Sequence, residues 1–284
     1  LVRVLREKGL AILNNDDPRV TAMRKEMHCP AVYFGASEGS DVRVLATQVV
    51  TESDEQGRIM PIGISMTIEV NGREHDVLLR GTVGRPQTLS VAAAFAVAQA
   101  FDVSVSQIIE RLERDYHGIA GRTRVIPGIK GTTIVDDSYN AASPLGVISA
   151  LRDLSSIPIS TGQRRIAALG DMRELGLYSD KAHQDVGHAV ADIDIDFLVT
   201  CGTLGRAIAR AATEQGFPES RIRSFESSED VGRFLQDLIV PGDLVLIKGS
   251  QGSRMEKAVK EIMAEPLQAP FLLVRMSDEW QKGG

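Results

Sequence analysis

The chain has 284 residues, 43% hydrophobic and 25% charged, with a formal net charge of −6. That length and apolar content support two cores of ordinary domain size, while the acidic balance and the lack of any concentrated Lys/Arg run exclude a nucleic-acid footprint and leave only local anion pockets. No apolar stretch reaches the ~18 residues of a membrane span, the opening LVRVLREKG has no signal-peptide pattern, and Cys29 and Cys201, far apart, read as buried small hydrophobes, so the cytoplasm is the compartment implied.

The chain opens at Leu1 without an initiator Met, inside what reads as a helix, LVRVLREKG, feeding a strand, LAILNN. This looks like the middle of a longer protein. A helix from Pro18 to Met27, a strand AVYFG and a strand-rich stretch from Val42 to Arg80 follow. Within that stretch ISMTIEV and EHDVLLRG flank Asn71-Gly72, the strongest short hairpin signal. SVAAAFAVAQAF, almost wholly apolar, predicts a buried helix, and VSQIIERLERDY an amphipathic one. After HGIAGR the pattern becomes a regular alternation of apolar strands (TTIVDDS, RRIAALG, DFLVTCG, IRSFES, DLVLIKG) with amphipathic helices, and FLLVRM reads as a late edge strand. The fold class is therefore α/β, with a C-terminal doubly wound, mostly parallel, Rossmann-like sheet. The chain divides into 1–117 and 118–284.

Ligands of open parallel sheets bind beyond the carboxyl ends of strands, and the polar clusters fall there: VDDSYN, GDMRELG, CGTLG and KGSQGSR. KGSQGSRMEK sets glycines and serines between a strand and a helix start, an anion site by geometry, with Lys248 and Arg254 adding charge. It is not a Walker A loop, since Gly-Lys occurs nowhere in the chain. Asp136 and Asp137 read either as caps for a helix at Pro144 or as ribose acceptors. Asp137 is the choice for the ribose, as a solvated strand-end carboxylate with little packing, with Tyr139 and Asn140 offering a flat face and an amide to a base. Asn14, at another strand end, can read an adenine edge, and Asp17 before Pro18 is a plausible cap. His183 and His188, roughly 140° apart around a helix, do not face one metal and read as solvated or supporting.

In this order the clusters LNNDDPRV, GRTRV, VDDSYNAASP, LGDMRELGLYSDKAHQDVG and LIKGSQGSRMEKAV resemble the Mur ligases of peptidoglycan synthesis, over nearly the whole chain. The resemblance implies that residues 1–117 are the C-terminal portion of the central ATP-binding domain and 118–284 the C-terminal domain. It implies an ATP-dependent amide ligase acting through an acyl phosphate. The tyrosyl-asparagine cluster and LGDMRELG point to the member that uses UDP-N-acetylmuramoyl-tripeptide and D-alanyl-D-alanine, monomeric at full length. By the same resemblance Asn14 meets adenine, Arg122 an ATP phosphate and Asp137 the ribose, with Tyr139 and Asn140 bordering the nucleotide; Lys248, Ser250 and Arg254 lie nearer the incoming peptide, and Arg122 and Lys248 carry the catalysis. The Gly-Lys-Thr phosphate loop and the residues that hold Mg2+ belong upstream of Leu1, so the chain alone is expected to be inactive. A folylpolyglutamate or cyanophycin synthetase type of ligase, and a non-catalytic nucleotide-binding module, are the alternatives.

Overall fold

The computed structural model describes residues 2–277 and 279–280. They form two units, one made of the residues up to Val50 with Gly63–Arg80 and Gly84–His117, the other of Thr51–Ile62, Gly81–Val83 and the chain from Gly118 onward.

In the first unit β1 (Ala11–Asn14), α1 (Pro18–Ala22), β2 (Ala31–Gly35), β3 (Val42–Ser53), β4 (Ile59–Val70), β5 (Arg73–Arg80), α2 (Arg85–Gln99) and α3 (Val105–Asp115) follow in turn. The sheet order is β1-β2-β3-β4-β5, with β1, β2 and β3 parallel and β4 and β5 antiparallel. The hairpin turns on Asn71 (φ 54°) and Gly72 (φ 70°), the paired left-handed residues that match strand twist. Ile64, Met66 and Ile68 of β4 and Val77 and Leu79 of β5 pack against Val91, Ala92, Phe95 and Ala96 of α2. That helix is not buried all round, since Val97 is 44% exposed; small alanines supply much of its apolar reading without a large side chain to bury. Helix α3 opens on a capping box between Ser104 and Gln107, each side chain satisfying the other's backbone N–H. Among the described residues of the opening LVRVLREKG, Val2–Val4 form a single 3-10 turn and no α-helix follows.

The second unit contains β6 (Arg124–Pro127), β7 (Thr133–Asp137), α4 (Pro144–Ser156), β8 (Arg165–Gly170), α5 (Ser179–Asp192), β9 (Phe197–Cys201), α6 (Gly205–Glu214), β10 (Ile222–Phe225), α7 (Ser228–Leu238), β11 (Leu244–Lys248), α8 (Glu256–Ile262) and α9 (Ala269–Leu272). The order β10-β9-β8-β11-β7-β6 is parallel except for β6, which runs antiparallel to β7. Strand β11 returns last to lie between β7 and β8, so the chain winds outward on one side and comes back at a switch point. One core joins Ile126, Ile134, Ile166, Val199, Val245 and Ile247 of the sheet to Val231 and Leu235 of α7 and Val259 and Ile262 of α8. FLLVRM does not form an edge strand. Phe271 and Leu272 end α9, Arg275 takes φ 57°, and Leu272, Leu273 and Met276 pack into the same core; a short apolar run does not by its periodicity distinguish strand from helix end.

Candidate functional site at the strand ends

Strands β7, β8 and β11 deliver their carboxyl ends to one rim of the second unit. Lys248 stands opposite Asp137 in the β11–β7 register, and its Nζ donates to Asp137 Oδ2 at 2.7 Å and to the Asn140 carbonyl at 2.9 Å. Both side chains are buried. Asp137 is therefore not a solvated carboxylate: burial raises its carboxyl above the usual range, opposed by Lys248 and Arg122. Lys248, expected to meet the incoming peptide, has its ammonium held by Asp137 and Asn140.

Successive strand residues face opposite ways, so Asp136 projects to the other face. It is fully buried and accepts from the N–H groups of Gly121 (3.0 Å) and Ser138 (3.1 Å). Burial pushes its carboxyl up to about 6. Neither aspartate caps α4; Ser143 does, accepting from the N–H of Gly146. Gly121 is left-handed (φ +67°), and a Cβ there would stand 2.9 Å from the Tyr139 backbone nitrogen. This close approach brings Arg122 over the Tyr139 ring, 4.4 Å from its centroid.

Beyond β11, Arg254 is left-handed at φ 51° and its Nε donates to Glu256 at 2.5 Å. Glu256 is fully buried and also meets Arg275, whose guanidinium donates to the carbonyls of Tyr139 (2.5 Å) and Ser138 (3.3 Å). Beyond β8, Asp171 ties the loops together. Its Oδ1 accepts from the N–H of Gly205 at 2.8 Å, and its carbonyl accepts from the N–H of Ser250 and the hydroxyl of Ser253. His183 is buried rather than solvated; its Nε2 accepts from the Met172 N–H at 2.9 Å, which fixes the tautomer with Nδ1 donating to the Ser179 carbonyl and pins the GDMR loop. At this rim lies a cleft of 680 Å³ whose walls include Asn140, Arg173, Glu174, Ser250, Arg254, Lys257 and Trp280.

Of the residues singled out in the sequence, the fold thus gathers Arg122, Asp137, Tyr139, Asn140, Lys248, Ser250 and Arg254 at this rim. Asn14 belongs to the other unit, where its Oδ1 accepts from the N–H of Asp16 beside Asp17, which caps α1. Asp171, Glu256, Arg275 and Trp280 were not foreseen as site residues. The GDMR cluster pointed near Asp171, but nothing in FLLVRM marks Arg275 as a clamp. Among the described residues no group of three or more His, Cys, Asp and Glu side chains is arranged to hold a metal ion.

Residues 121–251 match the family described as Mur ligase, glutamate ligase domain. The UDP-N-acetylmuramoyl-tripeptide–D-alanyl-D-alanine ligase of Bacillus subtilis is 25% identical over 273 residues, covering 94% of this chain and 54% of that protein. The Mycobacterium tuberculosis ligase of the same name is 28% identical over 283 residues, covering 93% and 53%. Among solved structures, MurF ligase from Thermotoga maritima in complex with ADP superimposes with a TM-score of 0.71 at 24% identity, over 92% of this chain and 54% of that one. MurF from Acinetobacter baumannii gives 0.72 at 24%, over 90% and 52%. These likenesses establish the fold, and the chain spans about half the length of the curated relatives it matches. With these names, the folylpolyglutamate or cyanophycin synthetase alternative and the non-catalytic module are not favoured.

Proposed function

We propose that this chain, whose residues 121–251 match the family described as Mur ligase, glutamate ligase domain, belongs to that family and is the acceptor-holding part of an ATP-dependent ligase that joins D-alanyl-D-alanine to UDP-N-acetylmuramoyl-tripeptide in cytoplasmic peptidoglycan precursor synthesis. In this reaction a terminal carboxylate oxygen of the tripeptide attacks the γ-phosphorus of ATP and ADP leaves. The dipeptide amine then attacks the acyl carbon, phosphate departs with the C–O bonding pair, and the nitrogen loses its proton as the amide forms.

The observation that carries this reading is the strand-end cleft, with Arg173, Arg254 and Lys257 among its walls beside Asn140 and Ser250. Cations there suit the carboxylate of a dipeptide, and the amide and hydroxyl suit its peptide bond. Lys248 acts through Asn140, whose carbonyl it grips, and Asp137 orients Lys248. Arg122, its guanidinium steadied over Tyr139, is the cation for the developing phosphoryl charge, where positioning and electrostatics supply most of the catalysis. Asp137 serves the ribose. The names of the two ligases and the ADP in the Thermotoga structure support the substrate assignment.

In the complete ligase containing this chain, ADP release should require ATP, UDP-N-acetylmuramoyl-tripeptide and D-alanyl-D-alanine together. Arg254→Ala should raise the KM for the dipeptide about tenfold or more and leave that for ATP unchanged. ADP release that ignores the dipeptide, or an Arg254→Ala variant with the ATP KM alone raised, would overturn the assignment. The chain by itself should not turn over.

A further inference from the structure

The walls of the cleft mix polar groups with apolar surface, and Trp280 supplies their aromatic face. Trp280 lies 26 residues beyond Arg254, outside every motif cluster, yet it is tied to its neighbours through both its backbone and its ring. Its N–H donates to the Ser277 carbonyl at 3.0 Å, and its own carbonyl accepts from Arg254 Nη2 at 3.2 Å. Its ring has the guanidinium of Arg254 5.6 Å and that of Arg275 5.8 Å from its centroid, within reach of cation–π attraction. Both cations are themselves anchored. Glu256, fully buried, holds each of them, and Arg275 also grips the Tyr139 and Ser138 carbonyls.

A chain of groups therefore runs from Arg122 through Tyr139 and Arg275 to Trp280 and Arg254, alternating guanidinium and ring. The indole is 40% exposed, but it stands on a rigid base and turns its apolar surface to the cleft. A side chain placed by surrounding hydrogen bonds and packing is what selective recognition requires.

We propose that Trp280 is a specificity-determining residue for the acceptor, the wall against which the small side chains of the incoming dipeptide lie. This rests on the ligase reading above. Two methyl groups give a short D-peptide little apolar surface, and a fixed aromatic face is the cleft's means of recognising it. A larger side chain at the same place would have to displace the ring together with its two guanidiniums.

In the complete ligase, the ratio of kcat/KM for D-alanyl-D-alanine over D-alanyl-D-leucine should fall about tenfold or more in Trp280→Ala, the scale on which apolar pockets sort side chains, and Trp280→Phe should keep most of the preference. A merely structural role lowers both acceptors together and leaves the ratio unmoved, and an unchanged ratio in Trp280→Ala overturns the proposal. An enzyme that uses neither dipeptide overturns the ligase reading instead. Since Trp280 is the only tryptophan of the chain, its emission gives a second readout without turnover. Titration with D-alanyl-D-alanine should shift it, and the absence of any shift also counts against this placement of the acceptor.

Discussion

Asp137 and Lys248 close adjacent strands, and their ion pair spans 111 positions of sequence. Removing one partner leaves the other charge buried and unpaired, so Asp137→Ala should cost about 3–5 kcal/mol in urea denaturation. Replacing both with apolar groups, Asp137→Leu with Lys248→Met, should cost much less than the sum of the single changes. A solvated carboxylate would instead give a loss within about 0.5 kcal/mol. Asp136 makes a separate prediction. Its folded carboxyl titrates near 6 because burial disfavours the charge, above the unfolded value of about 3.9. The folded state therefore binds the extra proton in this window. Its contribution is fully present below the unfolded value and is lost as pH rises through about 6, a swing on the order of 3 kcal/mol. Asp137 shifts in the same direction, so the comparison needs Asp136→Asn, which stays neutral. The melting temperature of that variant relative to the parent should rise from pH 4 to pH 7.5, and a constant difference would show that Asp136 does not titrate in this window. The adjacent aspartates after TTIV were legible as a strand end. The burial of Asp137 was not, because it depends on a lysine that only the β11 register supplies.

At the scale of elements, two helical glycines that look alike in sequence should respond in opposite ways. In α5 a Cβ on Gly187 would stand 2.4 Å from the Ile208 carbonyl and 2.7 Å from Ala211 Cβ of α6. The backbone of α6 cannot yield cheaply, so Gly187→Ala should destabilise by about 1–3 kcal/mol, despite alanine's gain of ~1 kcal/mol in helix propensity. In α4 a Cβ on Gly146 meets only Ser143 Oγ, at 3.4 Å, and Gly146→Ala should stabilise by roughly 0.5–1 kcal/mol. Thermal denaturation of the two variants reads the signs directly; the same sign for both would mean that close helix packing is not what places Gly187. Helix α3 was legible because its period sets one apolar face on the core, and β7 and β11, buried on both faces, because each carries an apolar or β-branched run without alternation, TIV and LVLI, as central strands covered on both faces require. The opening and FLLVRM were misread, since each is a short apolar run whose partners, not its period, decide its form.

For the chain as a whole, the segment from Gly118 onward contains all of the core residues built on β6 to β11, yet its unit also takes in Thr51–Ile62 and Gly81–Val83. No sequence pattern announces these additions, because they are made through backbone groups. Gln163 accepts from the Ile59 N–H at 2.9 Å and donates to the Ile59 carbonyl at 3.0 Å and the Gly242 carbonyl at 2.7 Å. Ser160 donates to the Gly57 carbonyl at 2.8 Å, and Val125 donates its N–H to the Gly81 carbonyl at 2.9 Å. A piece comprising 118–284 should therefore unfold in one cooperative transition on its own core, but below the temperature at which the same segment unfolds in the whole chain. Each lost hydrogen bond is worth about 0.5–1.5 kcal/mol net, and 1 kcal/mol shifts a domain of this size by about 2–4 °C, so a fall of roughly 10 °C is expected. Gln163→Ala separates the cause, since it should lower the transition of the whole chain by several degrees more than that of the piece, where Ile59 is missing already. A piece with no cooperative transition would show that the core does not stand alone. Equal effects of Gln163→Ala in both would show that Thr51–Ile62 contributes nothing through this side chain.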